Sequence, residues 1–493
     1  MLPAAAVLVA ALQCPDGSPP PCGARPGRAA PTSVAVLAFE NLSRDTADLY
    51  LADGITEELT NRLGGMERLR VSAKSVVRRA HQAAAGDVLA AGRALNVRYL
   101  VEGSLRRSGS RVRVSARLLR ASDGTRVWGD DYDRTMDDLL AMQVDIAQEV
   151  ARNVAGRLLP GEQRALARRP TASAAAYDHY LRGRYLLTRR TESSIRQAAA
   201  ELDQALRLDP AFAAAEARRA QALVTAFGYG VELATPDSFA AWTQHSVNRA
   251  LQLDSMSSDA WLSLALVRLW FPPLSLVEAR AAADRAVALE PRNADAHHTL
   301  GLALMSVPDL PAASDAFQRA LALEAGRAIS ALDIAQIEYA ERRYDAARRW
   351  VDSAIALEPQ QARNFMLRSL MRARSGDTAG ARTDAELAVQ RATGTVRTLS
   401  LAARVVAAAA RGDSIAARRD AAGLETGSWQ TFGRLLALVA LGRHDEALAL
   451  LERGPLVAID RLWLLFPEVD PIRHSARFGA AIQRWAPPGA RPL

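Results

Sequence analysis

Lysine is almost missing from this 493-residue chain: Lys74 is the only one, and arginine supplies the rest of the 62 basic residues. The net charge of +8 and pI near 9.9 come from arginines scattered among acidic residues in every segment. A nucleic-acid footprint needs basic residues gathered on one face, so nucleic acid is not an expected partner. Cysteine is confined to Cys14 and Cys22, which excludes a disulfide framework. Asp16-Gly17 between them is a turn signal that can bring the thiols together, and a bond there persists only in an oxidising compartment. The seven histidines show no metal-ligand spacing. The adjacent pair His297-His298, on a helix, would point about 100° apart and cannot share an ion. No metal and no cofactor are expected. Also missing are a Gly-rich phosphate loop with lysine, HExxH, GxSxG and the kinase signatures, so the chain does not read as an enzyme.

Long apolar runs are absent too. Leu2 to Leu12 is 11 residues long, short of the roughly 20 that span a bilayer. No basic residue stands before it, and Ala11-Leu12-Gln13 is a poor cleavage match. An atypical signal peptide, the tail of a membrane helix beginning upstream, and a frayed cytoplasmic end all remain open. Membrane contact, if any, would run through this segment alone.

What is present is folded protein: 49% apolar and 24% charged residues, over a length that calls for more than one core. Residues 1–31 read as the apolar segment and a Pro-rich linker, 32–160 as an α/β domain, 161–455 as a helical array and 456–493 as a C-terminal cap.

In the α/β domain, Ser33 to Phe39 is a continuous apolar run of the kind buried on both faces of a sheet. Leu51, Ile55, Leu59 and Leu63 recur at helical spacing before Gly64-Gly65. Leu69 to Ser72 makes a second short strand, and Asp87 caps a helix ending at Asn96. Val97–Arg107 and Arg111–Arg120 form a hairpin in which Val112, Val114, Ala116 and Leu118 alternate with arginine and serine. Asp123-Gly124 turns into a third strand, and a helical period runs from Met136 until Pro160-Gly161. The charged strand face is expected to be solvated and to discourage edge pairing, and Asp53-Gly54 to serve a cap or turn. The blocks SVAVLAFEN, LADGITEELTNRL and LNVRYLVEGSLRRSGSRVRVSARLLRASDGTRVWGDDYDR, in that order, resemble the TolB-like amino-terminal domain related to the flagellar FlgO type. The resemblance covers residues 33–158. It implies placement ahead of a repeat array in a bacterial signalling protein, commonly after a membrane helix and a kinase, cyclase or winged-helix effector.

From Ala174 onward the pattern is helical. Ala286, Ala320, Ala354 and Ala388 stand 34 residues apart, the tetratricopeptide (TPR) period, within RAVALEP, RALALEA and SAIALEP, with QALRLDP earlier. Alanine is expected where helices cross closely. Seven or eight repeats follow, including a longer loop near Gly228-Tyr229-Gly230. The fold class is therefore an α/β domain followed by an all-α TPR solenoid, a right-handed superhelix of helix pairs. The tail FPEVDPIRHSARFGAAIQRW is similar to the ending of many TolB-like TPR chains and is expected to cover the last pair.

First helices line the concave side of such arrays, where a peptide or protein ligand docks. His298, Met305, Leu332, Gln336, Tyr339, Arg363 and Met366 are the expected groove residues. No Lys/Asn ladder of a carboxylate clamp accompanies them. The chain thus reads as a protein-binding scaffold of the envelope, or else as the regulatory half of a signalling protein.

Overall fold

The computed structural model describes residues 32–484 except 190, 230, 232, 234, 272–273, 325, 425–430 and 455–459; Cys14 and Cys22 lie outside the described residues. The first domain is built on one mixed sheet of strands β1 (Thr32–Val36), β2 (Glu40–Asn41), β3 (Leu69–Val71), β4 (Tyr99–Ser108), β5 (Arg111–Arg120) and β6 (Arg126–Thr135). Its order is β3-β1-β4-β5-β6, with β2 on β4. β1 runs parallel to β3 and β4 and is covered on both faces, which is why it reads as an unbroken apolar run. β4, β5 and β6 form the antiparallel meander, closed at the first turn by Ser108 opposite Arg111.

On one face, helices Leu49–Gly64 and Leu139–Ala155 bury Leu51, Ile55, Leu59, Ile146 and Val150 against Val112, Val114, Ala116 and Leu118. On the other, Lys74–Ala83 and Val88–Leu95 set Val77 against Ala35, Leu37 and Leu100. The first of these two was not evident in the sequence, because KSVVRRAHQA has one buried valine and no cap side chain. The other begins at Asp87, whose carboxylate accepts from Leu89 and Ala90, and ends at Asn96 at φ 49°. The long C-terminal helix of the domain stops earlier than its periodicity suggests, at Ala155, because Gly156 turns the backbone to φ +74°. Pro160, expected as a terminator, instead opens the short helix Pro160–Ala167, where its missing N–H costs nothing.

Eight helix pairs follow among the described residues: Ala174–Leu187 with Glu192–Leu208, Ala213–Gly228 with Pro236–Leu253, Ser258–Trp270 with Leu276–Leu289, Ala294–Ser306 with Leu310–Leu323, Ala328–Ala340 with Tyr344–Leu357, Ala362–Arg374 with Thr378–Arg391, Gly394–Ala410 with Ser414–Ala422, and Thr431–Ala440 with His444–Arg453. The chain is an α/β domain joined to a TPR array. Ala286, Ala320, Ala354 and Ala388 are each 0% exposed, as close helix crossings require. Gly301 meets the same demand more strictly, since a Cβ there would stand 2.5 Å from the Phe317 ring. Between helices of a pair, the backbone turns through a left-handed residue at Gly376, Gly412 and Gly442, and at Arg342.

The array is seated on the first domain. Gly54 and Asp53 lie within the Leu49–Gly64 helix, not at a cap or turn. Gly54 admits the Leu181 side chain, which a Cβ would meet at 3.1 Å, while Asp53 accepts from Lys74 at 2.5 Å. Tyr50 donates to Asp178, and Tyr177 to Gln143 at 2.9 Å.

The C-terminal segment departs from expectation. Its last helix, Ala476–Arg484, does pack on His444–Arg453. Residues 460–473, however, run back along the concave side, touching Ala294–Ser306, Ala328–Ala340 and Thr431–Ala440. The tail is therefore more than an end cap.

Candidate protein-binding groove

First helices of successive pairs pack on one another and line the inner wall. The expected groove residues stand on them, and six of the seven are buried in the folded chain: His298, Met305, Leu332, Gln336, Tyr339 and Met366. Arg363 is half-buried and, with Leu332 and Tyr229, lines a cavity of about 10 Å³, barely the space of one water. His298 is turned into the array, with Nδ1 3.0 Å from the Ser330 hydroxyl and its ring tilted 5.3 Å from Phe317. His297 instead reaches the Pro291 carbonyl at 3.0 Å, so the two rings are separated by their own partners.

Gln336 and Tyr339 are brought together, one helical turn apart, against residues 460–473. Trp463 donates its indole N–H to Gln336 Oε1 at 2.5 Å, and Tyr339 donates its hydroxyl to Glu468 at 2.5 Å. Phe466 stands edge-on to Tyr339 at 5.2 Å, and Phe432 holds Trp463 at 5.1 Å and Phe466 at 6.3 Å. Leu462, Leu464, Val469 and Ile472 fill the remaining space and are essentially inaccessible. Arg461 donates to the Ser306 carbonyl at 3.1 Å.

Arg342, in the turn that the Arg342-Arg343-Tyr344 sequence supplies, is the polar anchor of this contact. Its guanidinium donates to the Leu465 carbonyl at 2.7 Å and to Asp470 at 2.6 Å. Its backbone sits at φ 64°, where the turns of the following pairs carry Gly376, Gly412 and Gly442. A non-glycine residue there is strained, and the side chain gained is the one that grips the tail. The signal was legible, as an arginine standing where the sister turns have glycine.

Burial pushes the Glu468 carboxyl up, against the opposing pull of the Tyr339 hydroxyl, Arg374 and Arg342. Burial likewise raises the Tyr339 hydroxyl well above the ordinary phenol range, and the Glu468 charge adds to it. Burial thus disfavours ionisation of both groups, and the Tyr339 hydrogen bond offsets part of that effect at Glu468.

Toward the first domain the inner wall is charged. Arg218 pairs with Asp259 at 3.0 Å, and Arg327 with Asp295 and with Glu324, the latter at 3.0 Å. Asp295 keeps half its side chain in solvent, and the Arg327 guanidinium holds its carboxyl well below the usual range. At the domain junction Arg184 lies 3.4 Å from Glu57, which Lys74 also approaches at 3.4 Å. Burial alone would raise Glu57, but Arg184, Lys74 and Arg218 outweigh it and hold the carboxylate ionised. On the α/β domain a wide depression of about 630 Å³ opens between Arg93, Asn96, Arg98 and Arg120, and Arg120 is already paired with Asp123. Among the described residues no group of three or more His, Cys, Asp or Glu could hold a metal, and no helix is long and apolar enough to cross a membrane.

No protein-family model matches the chain. A curated relative, a putative adenylate cyclase 3 of Rhizobium meliloti, is 30% identical over 262 residues, which are 53% of this chain and 44% of that protein. The match thus spans less than half the length of that relative. Similar solved structures include yeast Tom70, 14% identical over 71% of this chain and 82% of its own, with a TM-score of 0.38. Another is YrrB, described as a TPR protein with an unusual peptide-binding site, 18% identical over 41% of this chain and 97% of its own, with a TM-score of 0.27.

Proposed function

We propose that the chain is a non-catalytic scaffold that binds partner proteins or peptides through the TPR groove, with a TolB-like domain as its second interaction surface. The observation that carries this reading is that the inner wall already receives a non-repeat stretch of chain, residues 460–473, through anchored aromatics and directed hydrogen bonds. A surface that holds such a segment in cis has the pocket and donor arrangement that peptide recognition needs. The TolB-like assignment draws support from the strand–helix–strand–meander order with β1 between β3 and β4. We place the protein on the extracytoplasmic side of the envelope, periplasmic or membrane-anchored, on the apolar run before Cys14 and the closely spaced cysteine pair. The test is photo-crosslinking in the native cell from exposed positions on the inner wall, Asp295 among them, and on the outer faces of both domains. Discrete cross-linked proteins are expected; their absence at every position would remove the scaffold reading.

A second reading rests on the cyclase relative. The chain corresponds to the regulatory half of a signalling protein whose effector is a separate region. An antibody against the array distinguishes the two, because the endogenous protein would then run well above the 53.1 kDa of this sequence.

A further inference from the structure

We infer that residues 460–473 are a ligand held in cis, and that the wall formed by Ala294–Ser306, Ala328–Ala340 and Thr431–Ala440 takes in trans a partner segment of the same chemistry: two aromatic anchors followed by two carboxylates. The inference deepens the scaffold reading and rests on it.

The chemistry of the occupant is written in its contacts. Trp463 and Phe466, three residues apart, flank Phe432, and the indole N–H reads Gln336. Glu468 and Asp470, two residues apart, meet Tyr339 and Arg342. A partner bearing Trp-x-x-Phe-x-Glu-x-Asp would meet the same donors and the same aromatic slot. Aromatic anchors in desolvated pockets, with a charged pair at the rim, are the pattern of strong peptide contacts.

The cis fit is imperfect in a way that favours exchange. Among the described residues, Glu468 Oε2 is buried without a hydrogen-bond partner. Arg342 holds the segment from a left-handed backbone that the turns of the three following pairs give to glycine. A purely structural plug would be under no pressure to keep a strained arginine there, whereas a releasable ligand needs a specific polar grip.

The experiment uses the full chain and a fluorescein-labelled synthetic peptide of residues 460–475, followed by fluorescence anisotropy. The unchanged protein, its groove occupied, is expected to bind it weakly. Trp463→Ala with Phe466→Ala vacates the anchors and is expected to tighten peptide binding at least about tenfold, in line with a conformational tax removed. Adding Arg342→Glu to that variant should lose the gain, and a peptide carrying Asp470→Arg should recover part of it. Asp470→Ala alone guards against misfolding, since it removes one partly exposed tail carboxylate and leaves the wall's Arg342 intact; it too should bind peptide more tightly than the parent. A helical circular-dichroism spectrum with no peptide binding in either variant would overturn the inference. So would loss of that spectrum in both, because a segment the fold cannot spare is not a ligand. If cross-linking finds partners elsewhere on the chain while the peptide fails, the scaffold reading stands and this inference alone falls.

Discussion

Trp463 places its indole N–H 2.5 Å from Gln336 Oε1, across 127 residues of sequence, and both side chains are buried. Gln336 in turn donates to Asp333 at 3.0 Å, so a single amide links the tail to the array's own wall. Replacing Gln336 with Ala leaves a buried N–H unpaired, which costs about 1–3 kcal/mol. Urea unfolding of Gln336→Ala is expected to show that loss. A midpoint equal to the parent's would mean that the tail does not lie on this wall in solution.

The repeat register makes a separate prediction. Ala320 is 0% exposed at a helix crossing, whereas Gln318, two residues before it, faces solvent. Ala320→Leu forces a bulky group into the contact and is expected to cost about 1–3 kcal/mol, while Gln318→Leu should cost little. Thermal melts that cannot tell the two apart would displace the register by at least one position.

These two sites also show what the sequence disclosed and what it hid. The 34-residue alanine spacing could be read directly, because a steric rule acts at every repeat and leaves the same residue each time. Arg368 with Asp384 and Arg404 with Asp420, both pairs at 2.8 Å, recur 36 residues apart and went unread, since a salt bridge between two helices of a pair leaves no hydrophobic period. The groove residues were placed on the inner wall by repeat position alone, and position cannot say what covers a wall. That depended on the tail, whose aromatics look alike whether they cap an end or fill a groove. Helix Lys74–Ala83 stayed hidden for the opposite reason, having too few buried residues to set a period. Arg342 was the one tail contact with a visible trace.

Glu468 supplies a pH prediction. Burial raises its carboxyl in the folded chain, so the native state binds a proton more readily than the unfolded one there. The sign follows: its contribution is most favourable below the ordinary glutamate range and is lost as pH rises through the raised folded value. Glu468→Gln keeps an acceptor for Tyr339 and removes the buried charge. The variant is expected to be more stable than the parent at neutral pH, with the difference shrinking toward acid. Urea midpoints of both proteins between about pH 4 and pH 8 measure it. A constant difference across that range would assign the burial cost to some other group.

The last prediction concerns the compartment, which three features of the chain bear on together. Leu2 to Leu12 is apolar over a length that suits export or the end of an anchor, though not a complete span. Cys14 and Cys22 flank a Pro-rich stretch with an Asp-Gly turn, a spacing that lets two thiols meet. Residues 33–158 resemble a TolB-like domain, and that resemblance implies a preceding membrane helix. A disulfide forms and persists where thiols are not kept reduced, so the two cysteines are expected to resist alkylation in the native cell until a reductant is added. A reporter fused after Leu493 that works only outside the cytoplasm is expected to be active. Thiols alkylated without reduction, together with activity of a cytoplasm-dependent reporter at the same position, would place the array inside the cell. The partners sought by cross-linking would then be cytoplasmic, and the apolar run would be a frayed terminus with no part in export.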